Sequence, residues 1–185
     1  MTILLIAEAR SGSTNLAKWL SKSLPDFRFF NEPFNYRSSD FVGENGTIDY
    51  SKNNIISEKY YFNEPLIKEM VKKSDKVFCL RRLNTTEQLE SYIMAHKTNN
   101  WYDEYVAHEI YQNIDEMHDL LFKFAESKRQ LKMFIDNANI KSFTYEDMYF
   151  NNGIDDLKSF LDITSDIPFP YGEKYRKEII NKTTI

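Results

Sequence analysis

Five apolar residues, Ile3 to Ala7, run into Glu8-Ala9-Arg10-Ser11-Gly12-Ser13-Thr14, and a helical pattern follows at once. A short apolar run rich in branched residues reads as a strand buried on both faces. Beyond it, Leu16, Trp19 and Leu20 recur at helical spacing from Thr14 until Leu24, where Pro25 stops the pattern. Strand, tight loop and helix in this order aim backbone N–H groups and the positive end of a helix at one point, which favours an anion. A triphosphate-binding loop reads GxxxxGK[ST], its lysine reaching the outer phosphates. Aligned on Gly12, this chain has Ala7 for the first glycine and Ser13 for the lysine, and Thr14 supplies the hydroxyl. The amide cradle is kept and the triphosphate clamp is not. Arg10 adds a fixed cation with planar donors. The plainer alternative is an ordinary Ser/Thr helix cap.

The rest of the chain repeats the alternation. Phe27 to Asn31 reads as a second strand, ended by Glu32-Pro33, since proline cannot continue a ladder. Residues 35 to 54, rich in Asn, Ser, Asp and Gly, read as a surface loop of lid length, and Ile55-Ile56 as a short strand. Asn63-Glu64-Pro65 starts a helix that gives way to a strand over Lys76 to Leu80. Helices are expected over Thr85 to Lys97, Asp103 to Phe134 and Ile154 to Leu161, with a strand at Ile140 to Thr144 and an aromatic, basic tail from Pro168. The expected architecture is one α/β domain over residues 1–185: three layers, a mostly parallel sheet flanked by helices.

A formal net charge of -4 and a pI near 5.5 argue against a broad basic face, so neither nucleic acid nor an anionic membrane is an expected partner. Any anion must be held locally. The one cysteine, Cys79 in the apolar run KVFCL, fits a buried thiol in a reducing compartment. No basic residue precedes the opening apolar run and Glu8 interrupts it, so it is expected to be a strand rather than an export signal, and the location cytoplasmic. On that expectation the triplets at Asn45, Asn84 and Asn181 are chance matches to the glycosylation pattern. His96, His108 and His118 lie 12 and 10 residues apart, without the i, i+4 pairing of a helical metal site, and no metal is expected.

Three motifs in order carry a resemblance. Arg10-Ser11-Gly12-Ser13-Thr14 follows the first strand; Phe30-Asn31-Glu32-Pro33-Phe34 ends the second; and VFCLRRLNTTEQLESYIMA, Val77 to Ala95, sets Arg81-Arg82 before a helix bearing Ser91. Together they resemble the sulfotransferases that use 3′-phosphoadenosine 5′-phosphosulfate (PAPS), with the Glu87-Gln88-Ser91-Tyr92 pattern closest to bacterial and viral-type members. The resemblance covers residues 3 to about 95 in motifs and only pattern thereafter. It implies a P-loop-like sulfotransferase fold, PAPS as donor, adenosine 3′,5′-bisphosphate (PAP) as product, and no metal. It also implies that Arg10, Ser11, Gly12, Ser13, Thr14 and Asn15 hold the 5′-phosphate, and that Arg81 or Arg82, with Ser91, holds the 3′-phosphate. Measured from Arg81 the spacing to Ser91 is one residue longer than usual, which leaves the choice between the arginines open. Lys174, Arg176 and Lys177 stand where a closing segment of the family touches the 3′-phosphate, though no RKG motif accompanies them. Without such a ligand, an arginine pair and a mid-helix serine would simply be solvated side chains.

By the same resemblance Glu32 is the general base and Arg10 a charge clamp, since a guanidinium does not give up a proton at neutral pH. The acceptor implied is a small molecule or carbohydrate hydroxyl, or an amine, with residues 35–54, Tyr60-Tyr61 and Trp101 to Tyr105 as candidate lining. Two other readings stay open: a kinase-like P-loop protein that takes its lysine from elsewhere, and a noncatalytic binding protein on the same fold.

Overall fold

The computed structural model describes residues 1–35, 47–60, 64–98, 114–151 and 153–169. Five parallel strands form one sheet: β1 (Thr2–Ala7), β2 (Arg28–Asn31), β3 (Asn54–Lys59), β4 (Lys76–Arg81) and β5 (Lys141–Thr144), in the order β2-β3-β1-β4-β5. The helices are α1 (Ser13–Ser23), α2 (Glu64–Lys73), α3 (Thr85–Thr98), α4 (Ile114–Ala138), α5 (Tyr145–Phe150) and α6 (Gly153–Leu161). This is the expected three-layer α/β architecture.

Every residue of β1 is buried, because the strand lies at the centre of the sheet with a helical layer on each side. Its side chains alternate between two cores. Ile3, Leu5 and Ala7 join Leu16, Trp19 and Leu20 of α1 and the apolar faces of α5 and α6, whereas Leu4 and Ile6 join Ile67 and Met70 of α2 and Leu131, Phe134 and Ile135 of α4. Each fully buried Leu or Ile contributes on the order of 2 kcal/mol. Cys79 belongs to the second core, and burial pushes its thiol far above the ordinary range, so it is a neutral packing group.

Three expectations are corrected. The short strand expected at Ile55-Ile56 is the six-residue β3, buried throughout, and it begins inside the stretch read as loop. Asn54 anchors its start by donating from Nδ2 to Thr2 Oγ1 at 3.2 Å and to the Asp49 carbonyl at 2.8 Å. The second correction is α5, where a helix follows β5 without a break: Thr144 Oγ1 caps it by accepting from the Asp147 amide at 3.1 Å, and Tyr145, Met148 and Tyr149 are buried beneath. Third, α4 runs on past Phe134 to Ala138 and ends at Asn139, whose φ of 50° is the left-handed conformation common at helix ends. The start expected for that helix at Asp103 lies outside the described residues. Among the described residues no helix is long and apolar enough to cross a membrane.

Candidate functional site at the carboxyl ends of the strands

In open parallel sheets, loops at the carboxyl ends of the strands converge where neighbouring connections diverge, and binding sites form there. Here the loop after β1 enters that crevice. It reverses direction using two left-handed residues, Arg10 at φ 60° and Gly12 at φ 81°. A glycine is needed at the second for its conformation and for space: a Cβ there would stand 2.9 Å from Tyr145 Cδ2 and 3.1 Å from Tyr149 Oη. Tyr149 Oη donates to the Gly12 carbonyl at 2.9 Å, so α5 fixes the loop from below. Ser11 is fully buried, its hydroxyl donating to the Glu8 carbonyl at 2.8 Å. It closes the loop rather than facing outward. Gly12 caps α1 without a side-chain hydrogen bond, and no acidic residue occupies the first turn. The positive end of α1 is thus not matched by a carboxylate of its own first turn. Thr14 and Asn15, in that first turn, are partly exposed.

The structure brings three predicted residues together. Arg10 Nε donates to Ser91 Oγ at 2.8 Å, joining the first loop to α3. Beside them, the Arg82 guanidinium lies 4.6 Å over the Tyr145 ring and donates to Glu87 Oε2 at 2.7 Å. Its Nε–H is buried with no partner among the described residues. Arg81, next in the chain, faces the other way, with Nε 3.5 Å from Glu8 Oε1. Successive side chains at a strand end point to opposite faces, and this separates the two arginines. Lys174, Arg176 and Lys177 lie outside the described residues.

Glu8 is a hub that sequence reasoning treated only as the end of a strand. It is 4% exposed and accepts from the Arg82 amide, Gln88 Nε2 and Lys128 Nζ, each at 3.1 Å. Lys128 also donates to Gln88 Oε1 at 2.6 Å and to the Arg82 carbonyl at 3.0 Å. A buried carboxylate is tolerable only when compensated in this way. The network ties the ends of β1 and β4 to α3 and α4, which fixes the spacing between Arg10, Arg82 and Ser91.

On the other side of the loop stands Glu32, immediately after β2. Its φ of 49° is unusual for a residue with a side chain, and its amide donates to the Ser57 carbonyl at 2.7 Å. The carboxylate accepts from Asn35 Nδ2 at 2.8 Å and lies 3.6 Å from Lys59 Nζ. Lys59, only 8% exposed, also donates from Nζ to Ser13 Oγ. A lysine from β3 therefore reaches the loop position where triphosphate loops carry their own. Burial lowers its pKa, opposed by the charges of Glu32 and Glu58. Glu58, 4% exposed, points to the opposite face; its Oε1 accepts from the Lys59 amide at 3.0 Å, and Oε2 has no partner among the described residues. Burial, followed by the negative charge of Glu32, raises its pKa to about 7.

Sequence reasoning missed the site roles of Lys59, Glu58, Glu8 and Lys128. The available signal was a charged pair ending a buried strand at the edge where ligands bind. Of the expected acceptor lining, Tyr60 is buried against Phe134 at 5.8 Å between ring centres and is a core residue; Tyr61 and residues 101–105 lie outside the described residues. Among the described residues no three His, Cys, Asp or Glu side chains gather as metal ligands.

No protein-family profile and no curated protein sequence matches the chain. Solved structures do match by shape. One is the crystal structure of mouse sulfotransferase SULT7A1 complexed with PAP, at 15% identity and a TM-score of 0.51, covering 99% of this chain. The chain spans 64% of the length of that sulfotransferase. Another is shikimate kinase from Aquifex aeolicus, at 15% identity and a TM-score of 0.49, covering 88% of this chain and 96% of the kinase. The fold is the α/β fold of P-loop-like proteins, with a five-stranded parallel sheet between helical layers.

Proposed function

We propose that this protein is a sulfotransferase that moves a sulfuryl group from PAPS to a hydroxyl or amine of a small-molecule or carbohydrate acceptor. The observation that carries the reading is the division of the crevice. Arg10, Arg82 and Ser91 gather on one side of the amide loop and Glu32 stands on the other, which suits a ligand with two phosphates and a reacting end.

In this reading Glu32 takes the acceptor's proton as its oxygen forms a bond to sulfur. The bond from sulfur to the bridging oxygen breaks, and its electron pair stays on the 5′-phosphate. The amides of Ser13 and Thr14 and the Arg10 guanidinium hold the negative charge that develops there. Arg82 and Ser91 hold the 3′-phosphate. Of the two arginines, Arg82 fits this role because it shares the loop's face and keeps a buried N–H that has no partner among the described residues. Metal chemistry is not required by these steps. The protein is taken to work in the cytoplasm without nucleic acid or membrane.

A second reading has one observation in its favour: Lys59 gives the loop an ammonium, as kinases of this fold require. Binding affinities for PAP and adenosine 5′-monophosphate separate the readings, since only a PAPS site should reward the 3′-phosphate. The unaltered protein is expected to prefer PAP by about tenfold or more, and Arg82→Met to remove most of that preference, as expected for one charge-assisted pair. Equal affinity for both nucleotides in the unaltered protein would count against the sulfotransferase.

A further inference from the structure

Helix α5 connects the two halves of the crevice through its side chains. Tyr145 and Tyr149 stand one turn apart on it, both buried, so their rings stack at 4.4 Å between centres and 29° between planes. The Tyr145 ring carries the Arg82 guanidinium at 4.6 Å and leaves no space for a Cβ at Gly12. Tyr149 Oη donates to the Gly12 carbonyl at 2.9 Å, and that carbonyl also accepts from the Asn15 and Leu16 amides at 3.1 and 3.2 Å. It is therefore the first acceptor of α1, and the hydroxyl pins the end of the helix whose amides line the loop. On its other side Tyr149 meets the Phe169 ring at 4.8 Å, Phe169 meets Trp19 edge-on at 5.5 Å, and Trp19 Nε1 donates to the Ile167 carbonyl at 3.0 Å. Tyr149 is held from both sides. A phenylalanine would fill the same space, so the hydroxyl serves the Gly12 carbonyl rather than the packing.

From this arrangement we propose that Tyr149 is a positioning residue that fixes the separation between the amide loop and Arg82, and that this separation selects a 3′,5′-bisphosphate over its 2′,5′ isomer. The inference rests on the donor reading above. The two isomers carry the same base, the same charge and the same phosphate oxygens; they differ only in which of two neighbouring ribose carbons bears the second phosphate. Charge alone holds both about equally well. Discrimination requires that the groups gripping each phosphate keep their distance from one another, because a charge-assisted hydrogen bond is lost when its partners are misplaced by about 1 Å. Gly12 and Arg82 belong to different loops, after β1 and β4, and the stacked pair on α5 joins them directly. Tyr149 itself need touch neither phosphate: it acts through Gly12 on one side and through Tyr145 on the other.

Isothermal titration at about pH 7 with PAP and with adenosine 2′,5′-bisphosphate tests the selection. The unaltered protein is expected to bind PAP at least about tenfold more tightly, as the loss of one charge-assisted contact implies. Tyr149→Phe keeps both ring contacts and removes only the hydroxyl; it should weaken PAP binding by roughly three- to tenfold, the range for one neutral hydrogen bond, and change binding of the 2′,5′ isomer by less than about twofold. A tyrosine that served stability alone would lower the urea midpoint and both affinities in parallel, and would leave their ratio intact. Phe169→Leu loosens the same ring from its other side with the hydroxyl still present, so it should also narrow the ratio, and it takes over the test if Tyr149→Phe does not fold. An unchanged ratio in Tyr149→Phe, or in Phe169→Leu where that variant stands in, overturns the role of Tyr149, as does equal binding of the two isomers by the unaltered protein; either result leaves the bisphosphate crevice in place. If the unaltered protein binds neither isomer, the donor reading fails and takes this inference with it.

Discussion

Replacing Glu32 by glutamine is expected to slow sulfuryl transfer by about 10²- to 10⁴-fold, the usual contribution of a general base, while PAP affinity changes by less than about threefold. The assay needs no knowledge of the acceptor: PAP formed from PAPS is measured with water as the acceptor, and PAP binding is measured separately. Glutamine preserves the shape of the side chain and an oxygen that can accept from Asn35, so the loop geometry should survive. What it removes is the capacity to take a proton. The backbone supports the assignment, because Glu32 and Arg10 both hold left-handed φ angles at the crevice, and strained residues persist where surrounding structure forces them. Retention of full transfer by Glu32→Gln would assign the proton to another group. Glu58 would be the first to consider, since it is buried close enough for Glu32 to raise its pKa.

Glu58 itself leads to the second prediction. Its folded pKa of about 7 lies above the ordinary value of 4.5 that holds in an unfolded chain. Between these two values the folded protein binds a proton that the unfolded chain has released, so stability falls as pH rises through that window. The stabilisation is fully present below pH 4.5 and is lost once pH passes 7. The size is on the order of 3–4 kcal/mol, because each pKa unit corresponds to about 1.4 kcal/mol. Glu58→Gln mimics the protonated form at every pH. Urea unfolding should therefore find the variant more stable than the parent by roughly 3 kcal/mol at pH 8 and by less than about 1 kcal/mol at pH 5. A gap that is the same at both pH values would show that Glu58 does not titrate in this window.

The first half of the site was legible because its signals are local. The apolar run of β1, the Ser/Gly loop and the helical spacing of α1 lie within two dozen residues, and each implies the next. The places of the Arg81-Arg82 pair and of Ser91 were legible for the same reason, the pair closing a strand and the serine on the helix that follows. Choosing between Arg81 and Arg82 required knowing which face of the sheet carries α1, and a two-residue alternation does not contain that information. Strand β3 was underestimated because Ser57, Glu58 and Lys59 break its apolar pattern; all three are nevertheless buried, Lys59 against Ser13 and Glu32, residues distant in sequence. Lys59 reaches Ser13 across 46 residues and Lys128 reaches Glu8 across 120, and no spacing rule links such pairs. Only the register of a parallel sheet does. The helix α5 was hidden because it starts at the residue after β5, with no turn signal between, and its cap, Thr144, is also the last residue of the strand.

On the proposed function, the crevice holds a doubly phosphorylated adenosine by an amide loop on one side and Arg82 with Ser91 on the other. Thermal unfolding of the unaltered protein with PAP, set against ATP and magnesium at equal concentration, tests it most directly. At a hundredfold excess over its dissociation constant PAP should contribute about 2.7 kcal/mol and raise the midpoint by roughly 5–10 °C, with ATP and magnesium giving a much smaller shift. A shift produced by ATP and magnesium with none from PAP would contradict the claim.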